Sequence, residues 1–216
     1  TDRAGLRWAG EGVGGAEWVD YNNDGRMDLY VVNGLWSGPE GSEDLSSLFL
    51  RRYLQRMVDD PASAKDVDPE EPALMQVLQA YRGGKGLSLG ARQRNRLFRN
   101  NGDGSFTELG YLAGVDRVED GYMAAVADVD RDGRQDLILR NGDPAVAGMA
   151  MPTITLLRNV HPGENQSLTV LLEGKGENRD AIGARLTAWI GGRRLLREIR
   201  AGAGTAQNER AAHFGL

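Results

Sequence analysis

The chain has 216 residues, of which 40% are hydrophobic and 26% charged, with a formal net charge of −5 and no cysteine. Those values suit one large or two small globular domains with a real core. They exclude a disulfide framework and a Cys-based zinc centre, and they speak against general nucleic-acid binding. No apolar run reaches the length of a membrane span. The chain starts at Thr1 without a signal peptide, so a processed or partial chain is expected. Thirty glycines, many in Asn-Gly, Asp-Gly and Gly-Gly pairs, predict many tight turns and hence many short strands.

In chain order, the first feature is a strand, an acidic loop at residues 20–28 and a second strand, Leu29-Tyr30-Val31-Val32. A segment of different character follows at 37–90. Ser42 caps a helix predicted over 43–58, with Leu45, Leu48, Phe49 and Tyr53 as its apolar stripe. Asp68-Pro69-Glu70-Glu71 starts a second helix, predicted to run to Tyr81 and to stop at Gly83-Gly84. The segment reads as a helical insertion in a β scaffold. Residues 95–98 and 106–109, joined by Asn101-Gly102-Asp103-Gly104, predict a β-hairpin.

The strand–loop–strand pattern then returns. Residues 14–34 set over 122–142 share Ala16/Ala124, Asp20/Asp128, Asp24/Asp132, Gly25/Gly133, Arg26/Arg134, Asp28/Asp136, Leu29/Leu137, Asn33/Asn141 and Gly34/Gly142, which is nine of 21 positions at an offset of 108. The strand after the second loop is Leu137-Ile138-Leu139. The C-terminal part predicts strands at 168–172, 184–190 and 194–200, the last two turned by Gly191-Gly192, as a small β domain.

Both loops place oxygen side chains at positions one, three, five and nine: Asp20, Asn22, Asp24 and Asp28, then Asp128, Asp130, Asp132 and Asp136. Both have glycine at position six, where the chain must turn sharply round an ion. Arg26 and Arg134, at position seven, are expected to give backbone carbonyls while their side chains face water. Calcium, a hard cation that takes six to eight oxygens, suits this set. Zinc wants Cys or His, and magnesium fewer carboxylates. Two bound calcium ions with a structural role are therefore expected. Without an ion, clustered carboxylates must be relieved by another cation or by raised pKa values. An EF-hand is disfavoured, because the flanks read as strands and position twelve holds Val31 and Leu139.

These loops and the strands after them resemble FG-GAP/VCBS repeats, the calcium-loop blades of integrin-α-like β-propellers. Asn95-Arg96-Leu97-Phe98-Arg99-Asn100-Asn101-Gly102-Asp103-Gly104-Ser105-Phe106, with Ala113-Gly114-Val115, resembles the hairpin that opens such a blade. Residues 178–185, together with Gly202-Ala203-Gly204, Gln207-Asn208 and His213-Phe214-Gly215-Leu216, resemble the ASPIC/UnbV signature. The resemblance implies a mainly β fold: partial propeller-like FG-GAP/VCBS blades over 1–160, and a truncated ASPIC/UnbV-like β domain over 161–216. It also implies a secreted, cell-surface or periplasmic protein that binds or scaffolds, with calcium as a structural ion. A full propeller takes about seven blades and only two are visible, so other protein chains are expected to cover open blade edges.

No Gly-x-Ser-x-Gly, His-Glu-x-x-His or cysteine nucleophile is present, and no catalytic residue is assigned. His161 is expected to be exposed and His213 to be a structural hydrogen-bonder. The leading expectation is a non-catalytic, calcium-binding scaffold or accessory subunit of an extracytoplasmic assembly. The alternative is a glycan- or protein-binding adhesion module, for which Trp8, Trp18, Trp36 and Trp189 could stack sugars, although core or rim packing is the expected place of each.

Overall fold

The computed structural model describes residues 3–6, 15–34, 93–119, 121–141, 153–202 and 206–216. Among them every regular element is a strand, eleven in all, and no closed propeller ring is formed. The helices expected over 43–58 and 69–81, with the rest of the 37–90 segment, lie outside the described residues, as do Trp8 and Trp36.

The first sheet is antiparallel in the order β1 (Ala16–Val19), β2 (Asp28–Val31), β3 (Arg96–Asn100), β4 (Phe106–Glu108). The second is a three-stranded counterpart: β5 (Gly121–Ala127), β6 (Asp136–Asn141), β7 (Thr153–Leu157). The acidic loops are the β1–β2 and β5–β6 connections, so each begins and ends on paired strands. Val19 faces Asp28 across the first, and Ala127 faces Asp136 across the second.

Alternation along the strands decides how the sheets meet. The first sheet buries Val19, Tyr30, Val32 and Leu97 against Ala124, Val126, Leu137 and Leu139 of the second. These are opposite sides of the repeat. The counterpart of Tyr30 at the 108-residue offset is Ile138, which lies on the far side of its sheet opposite Leu156. On that far side Leu156 and Ile154 are exposed. The side of the first sheet that matches Leu137 and Leu139 carries Trp18, whose ring is tilted against Phe106 at a centroid distance of 6.3 Å. Two like sheets thus stack front to back, and among the described residues no further sheet covers the outer face at either end.

The C-terminal unit comprises β8 (Ser167–Leu171), β9 (Arg185–Ile190), β10 (Arg193–Glu198) and β11 (Ala211–Gly215). β9 and β10 form the hairpin expected at Gly191-Gly192, and β11 pairs antiparallel with β8. Leu195, Ile199, Ala212 and Phe214 form its core. The unit also packs on the sheets. Asn208 accepts from the Val126 N–H at 2.9 Å and donates to Glu17 Oε2 at 3.0 Å, so one side chain pins the C-terminal unit to both sheets. Neither described tryptophan is a core residue: Trp18 is 47% exposed and Trp189, on the hairpin, 72%. His161, expected on the surface, is half-buried edge-on against Tyr21, with ring centroids 5.4 Å apart.

Candidate metal centre

The two acidic loops share one hydrogen-bond framework. Asp20 Oδ1 accepts from Asp24 N–H at 3.0 Å and its Oδ2 from Gly25 N–H at 2.9 Å; Asp128 does the same with Asp132 and Gly133 at 3.1 and 2.9 Å. Position five accepts from the amide of position seven in each loop, at 2.8 and 3.0 Å. The position-six glycines sit at φ 80° and 84°, a region that would strain any side chain. Asn23 and Arg131 take the left-handed conformation at position four, at φ 54° and 60°. The repeated sequence therefore encodes a repeated backbone, with the first aspartate as its internal tie.

Position nine is also held from outside the loop. The Asn100 N–H donates to Asp28 Oδ1 and the Asn159 N–H to Asp136 Oδ1, both at 2.7 Å. Their side-chain amides reach the carbonyls of Met27 and Gln135, both at 3.1 Å. These two asparagines were not picked out from the sequence. The signal was present: Leu97-Phe98-Arg99-Asn100 and Leu156-Leu157-Arg158-Asn159 are the same short pattern at the end of the third strand of each sheet.

The arginines at position seven do more than expected. Their side chains stay 39% and 32% exposed but also turn back on the loop: Arg26 Nη2 pairs with Asp24 Oδ2 at 2.6 Å and Arg134 Nη2 with Asp132 Oδ2 at 2.6 Å. Each also donates through Nε, to the Asn100 and Asn159 carbonyls at 3.2 Å. Those carbonyls, at the strand ends beside the loop, are the acceptors that draw the side chains back. Of the four carboxylates in the second loop, Asp128, Asp130 and Asp136 bring oxygens within 4.8 Å of one another, while Asp132 turns to its arginine. Arg158 lies across Asp130 and Asp132 as a further counter-charge.

In the first loop Asp20 and Asp28 are fully buried. Burial above all, with Asp24 nearby, pushes Asp20 up to about 6; burial, again with the neighbouring Asp24 and Asp20 charges, pushes Asp28 up to about 7. Asp28 Oδ2 is buried with only the Tyr21 amide near it and no hydrogen bond within 3.5 Å. A buried carboxylate oxygen left unpaired is costly unless something positive meets it, so this donor set fits a hard cation. Asn22 and Asp24 are half-buried, and the Asn22 amide donates to Asp24 Oδ2 at 3.1 Å. All ten sequence-predicted site residues thus lie in two compact loops of one architecture. His213, at the C-terminal strand, is buried and places Nε2 2.8 Å from Asn23 Oδ1, the structural role expected of it.

Comparison with known proteins agrees with this organisation. Residues 87–139 match the FG-GAP-like repeat, and residues 174–216 match ASPIC and UnbV. Over 142 residues the chain is 29% identical to cartilage acidic protein 1 of Homo sapiens, covering 57% of this chain and 20% of that protein. Over 79 residues it is 34% identical to cartilage acidic protein 1 of Xenopus tropicalis, covering 30% of this chain and 12% of that protein. The chain therefore spans a fifth or less of the length of these curated relatives. It carries an FG-GAP-like repeat followed, at its C-terminal end, by an ASPIC/UnbV domain.

Proposed function

We propose that this chain is a non-catalytic, calcium-stabilised interaction module of an extracytoplasmic assembly, with repeats over 1–160 and the ASPIC/UnbV unit over 161–216. The observation that carries the reading is the loop pair: two matching hydrogen-bond frameworks that gather carboxylates, one of them with a buried Asp28 oxygen that has only the Tyr21 amide near it and no hydrogen bond within 3.5 Å. Asp20, Asn22, Asp24, Asp28 and the Arg26 carbonyl would hold one ion. Asp128, Asp130, Asp132, Asp136 and the Arg134 carbonyl would hold the other. Each ion would supply the positive charge that lets these carboxylates sit together at neutral pH. Similarity to a protein whose name ties it to cartilage supports an extracellular setting.

The interaction surface in this reading is the uncovered sheet face bearing Ile154 and Leu156, on which another repeat sheet or protein chain would pack. A glycan-binding alternative rests on Trp189, whose exposed indole on the β9–β10 hairpin offers a stacking platform; a glycan array tests it.

Calcium titration with thermal melts tests the main reading. An ion at 100 times its dissociation constant adds about 2.7 kcal/mol, or roughly 5–10 °C in Tm for a chain of this size. Excess chelator should remove that gain. Identical melts in calcium and chelator would overturn the structural role of the ions.

A further inference from the structure

The two loops share a framework, but their surroundings differ. The first is roofed by the end of the chain. Gly215 N–H donates to Asp20 Oδ2 at 3.2 Å, and Arg197 Nη2 stands 3.6 Å from the same oxygen. His213 Nε2 meets Asn23 Oδ1, and Arg193 Nη2 donates to the Asp24 carbonyl at 2.9 Å. The approach is so close that it needs bare backbone. A Cβ on Gly215 would stand 2.3 Å from the Asn23 carbonyl carbon and 2.5 Å from Asp20 Oδ2. Asp20 Oδ2 is thereby held by two amides, Gly25 and Gly215, and Oδ1 stays on the loop side, where it accepts from Asp24 N–H. The second loop takes a contact of another kind. Ser167 Oγ donates to the Gly133 carbonyl at 2.6 Å, Asp128 is half-buried and Asp130 is exposed.

We propose that strand β11 is a wall of the first cation site: the first loop reaches its ligand geometry only with β11 docked against Asp20, whereas the second loop meets the C-terminal unit through Ser167 of β8, at a backbone carbonyl, and depends on that docking less. The inference rests on the calcium reading of the loops. The physical reason is pre-organisation. A carboxylate whose rotamer is fixed by two amide donors does not lose that freedom when the ion arrives. Coupling of this kind is reciprocal, so an ion in the first loop tightens the docking of β11 by the same factor by which docking tightens the ion.

Two measurements on the full chain test it. In a calorimetric calcium titration, Gly215→Ala should weaken one site about ten-fold or more and leave the other within about two-fold. Should Gly215→Ala fail to fold, Arg193→Ala, which removes the donor to the Asp24 carbonyl without adding bulk against Asp20, carries the same test with a smaller drop at the same single site. In hydrogen exchange, calcium should slow the amides of residues 211–216 about ten-fold in the wild type and in Asp136→Asn, but not in Asp28→Asn. Equal weakening of both sites, or exchange at 211–216 that ignores calcium while both sites still bind it, overturns the coupling and leaves the calcium reading standing. A wild-type chain that binds no calcium overturns both.

Discussion

Set side by side, the loops at 20–28 and 128–136 separate what a short motif encodes from what its neighbours add. Matched hydrogen bonds agree to within 0.2 Å: 2.9 and 2.9 Å at the glycine amide, 2.8 and 3.0 Å at the arginine amide. Five shared residues in nine suffice for that framework. Burial is another matter. The first loop has Asn22 at position three and a C-terminal roof, and both Asp20 and Asp28 are sealed from water, whereas of the matching pair in the second loop Asp136 is sealed and Asp128 half-buried. The second has Asp130 at that position, lies more open, and draws on Arg158 as a counter-ion. The motif builds the cradle, and distant parts of the chain decide how deep it lies.

The largest expected difference concerns His213, which belongs to the roof of the first loop. Burial first, then the Arg197 charge, holds its imidazole down to about 4, so it stays neutral in the folded chain. The unfolded chain takes up that proton near pH 6.5. Between pH 6.5 and 4 the unfolded state therefore binds more protons, and stability falls as pH falls. The loss should approach about 3 kcal/mol by pH 4 and be absent above about pH 7. Urea melts of wild type and His213→Gln in chelator, at pH 7.5 and 4.5, isolate it. The wild type should lose more across that interval, and parallel losses would mean that His213 is not held neutral by its site.

A smaller asymmetry separates the two asparagines. Asn100→Ala and Asn159→Ala each lose the side-chain bond to the carbonyl before position nine. Asn159 also donates to the Tyr21 carbonyl at 2.7 Å, crossing from one loop to the other. At about 1 kcal/mol net per hydrogen bond, Asn159→Ala should destabilise the fold by about 1 kcal/mol more than Asn100→Ala. Equal losses in chemical denaturation would deny that the Tyr21 contact contributes.

The smallest effect expected is the exchange at position three. Asn22→Asp adds a carboxylate to the first loop and Asp130→Asn removes one from the second. Calcium titration should find the first site tighter and the second weaker, each by several-fold, because a ligand's formal charge tunes calcium affinity. Unchanged affinities would place position three outside the coordination shell.

Much of this was legible in the sequence because it is local. The acidic loops, the Gly191-Gly192 hairpin and the Asn101–Gly104 turn depend on residues a few positions apart, and their strands fell within one or two residues of the expected bounds. The roof was not legible. Gly215 and Asp20 are 195 positions apart, and periodicity carries no information about which surface a C-terminal strand will cover. The ion pairs of the arginines at position seven were not legible for a related reason. Their acceptors, the Asn100 and Asn159 carbonyls, come from a third strand whose register with the loop is a product of the sheet. Trp189 was misplaced because an apolar aromatic in a β unit ordinarily packs inward, yet here it occupies an open hairpin face.

The front-to-back stacking of the two sheets also has a symmetry. A contact between unlike faces contains no twofold axis, so it cannot be satisfied by two copies turned toward each other. The Ile154 and Leu156 side of the second sheet corresponds to the side the first sheet has already buried, and the Trp18 side of the first corresponds to the side the second has buried. Among the described residues the stack therefore has a head and a tail that differ. Further sheets that repeat this contact extend the stack in a single direction, and it terminates only when the rotation per sheet sums to a full circle.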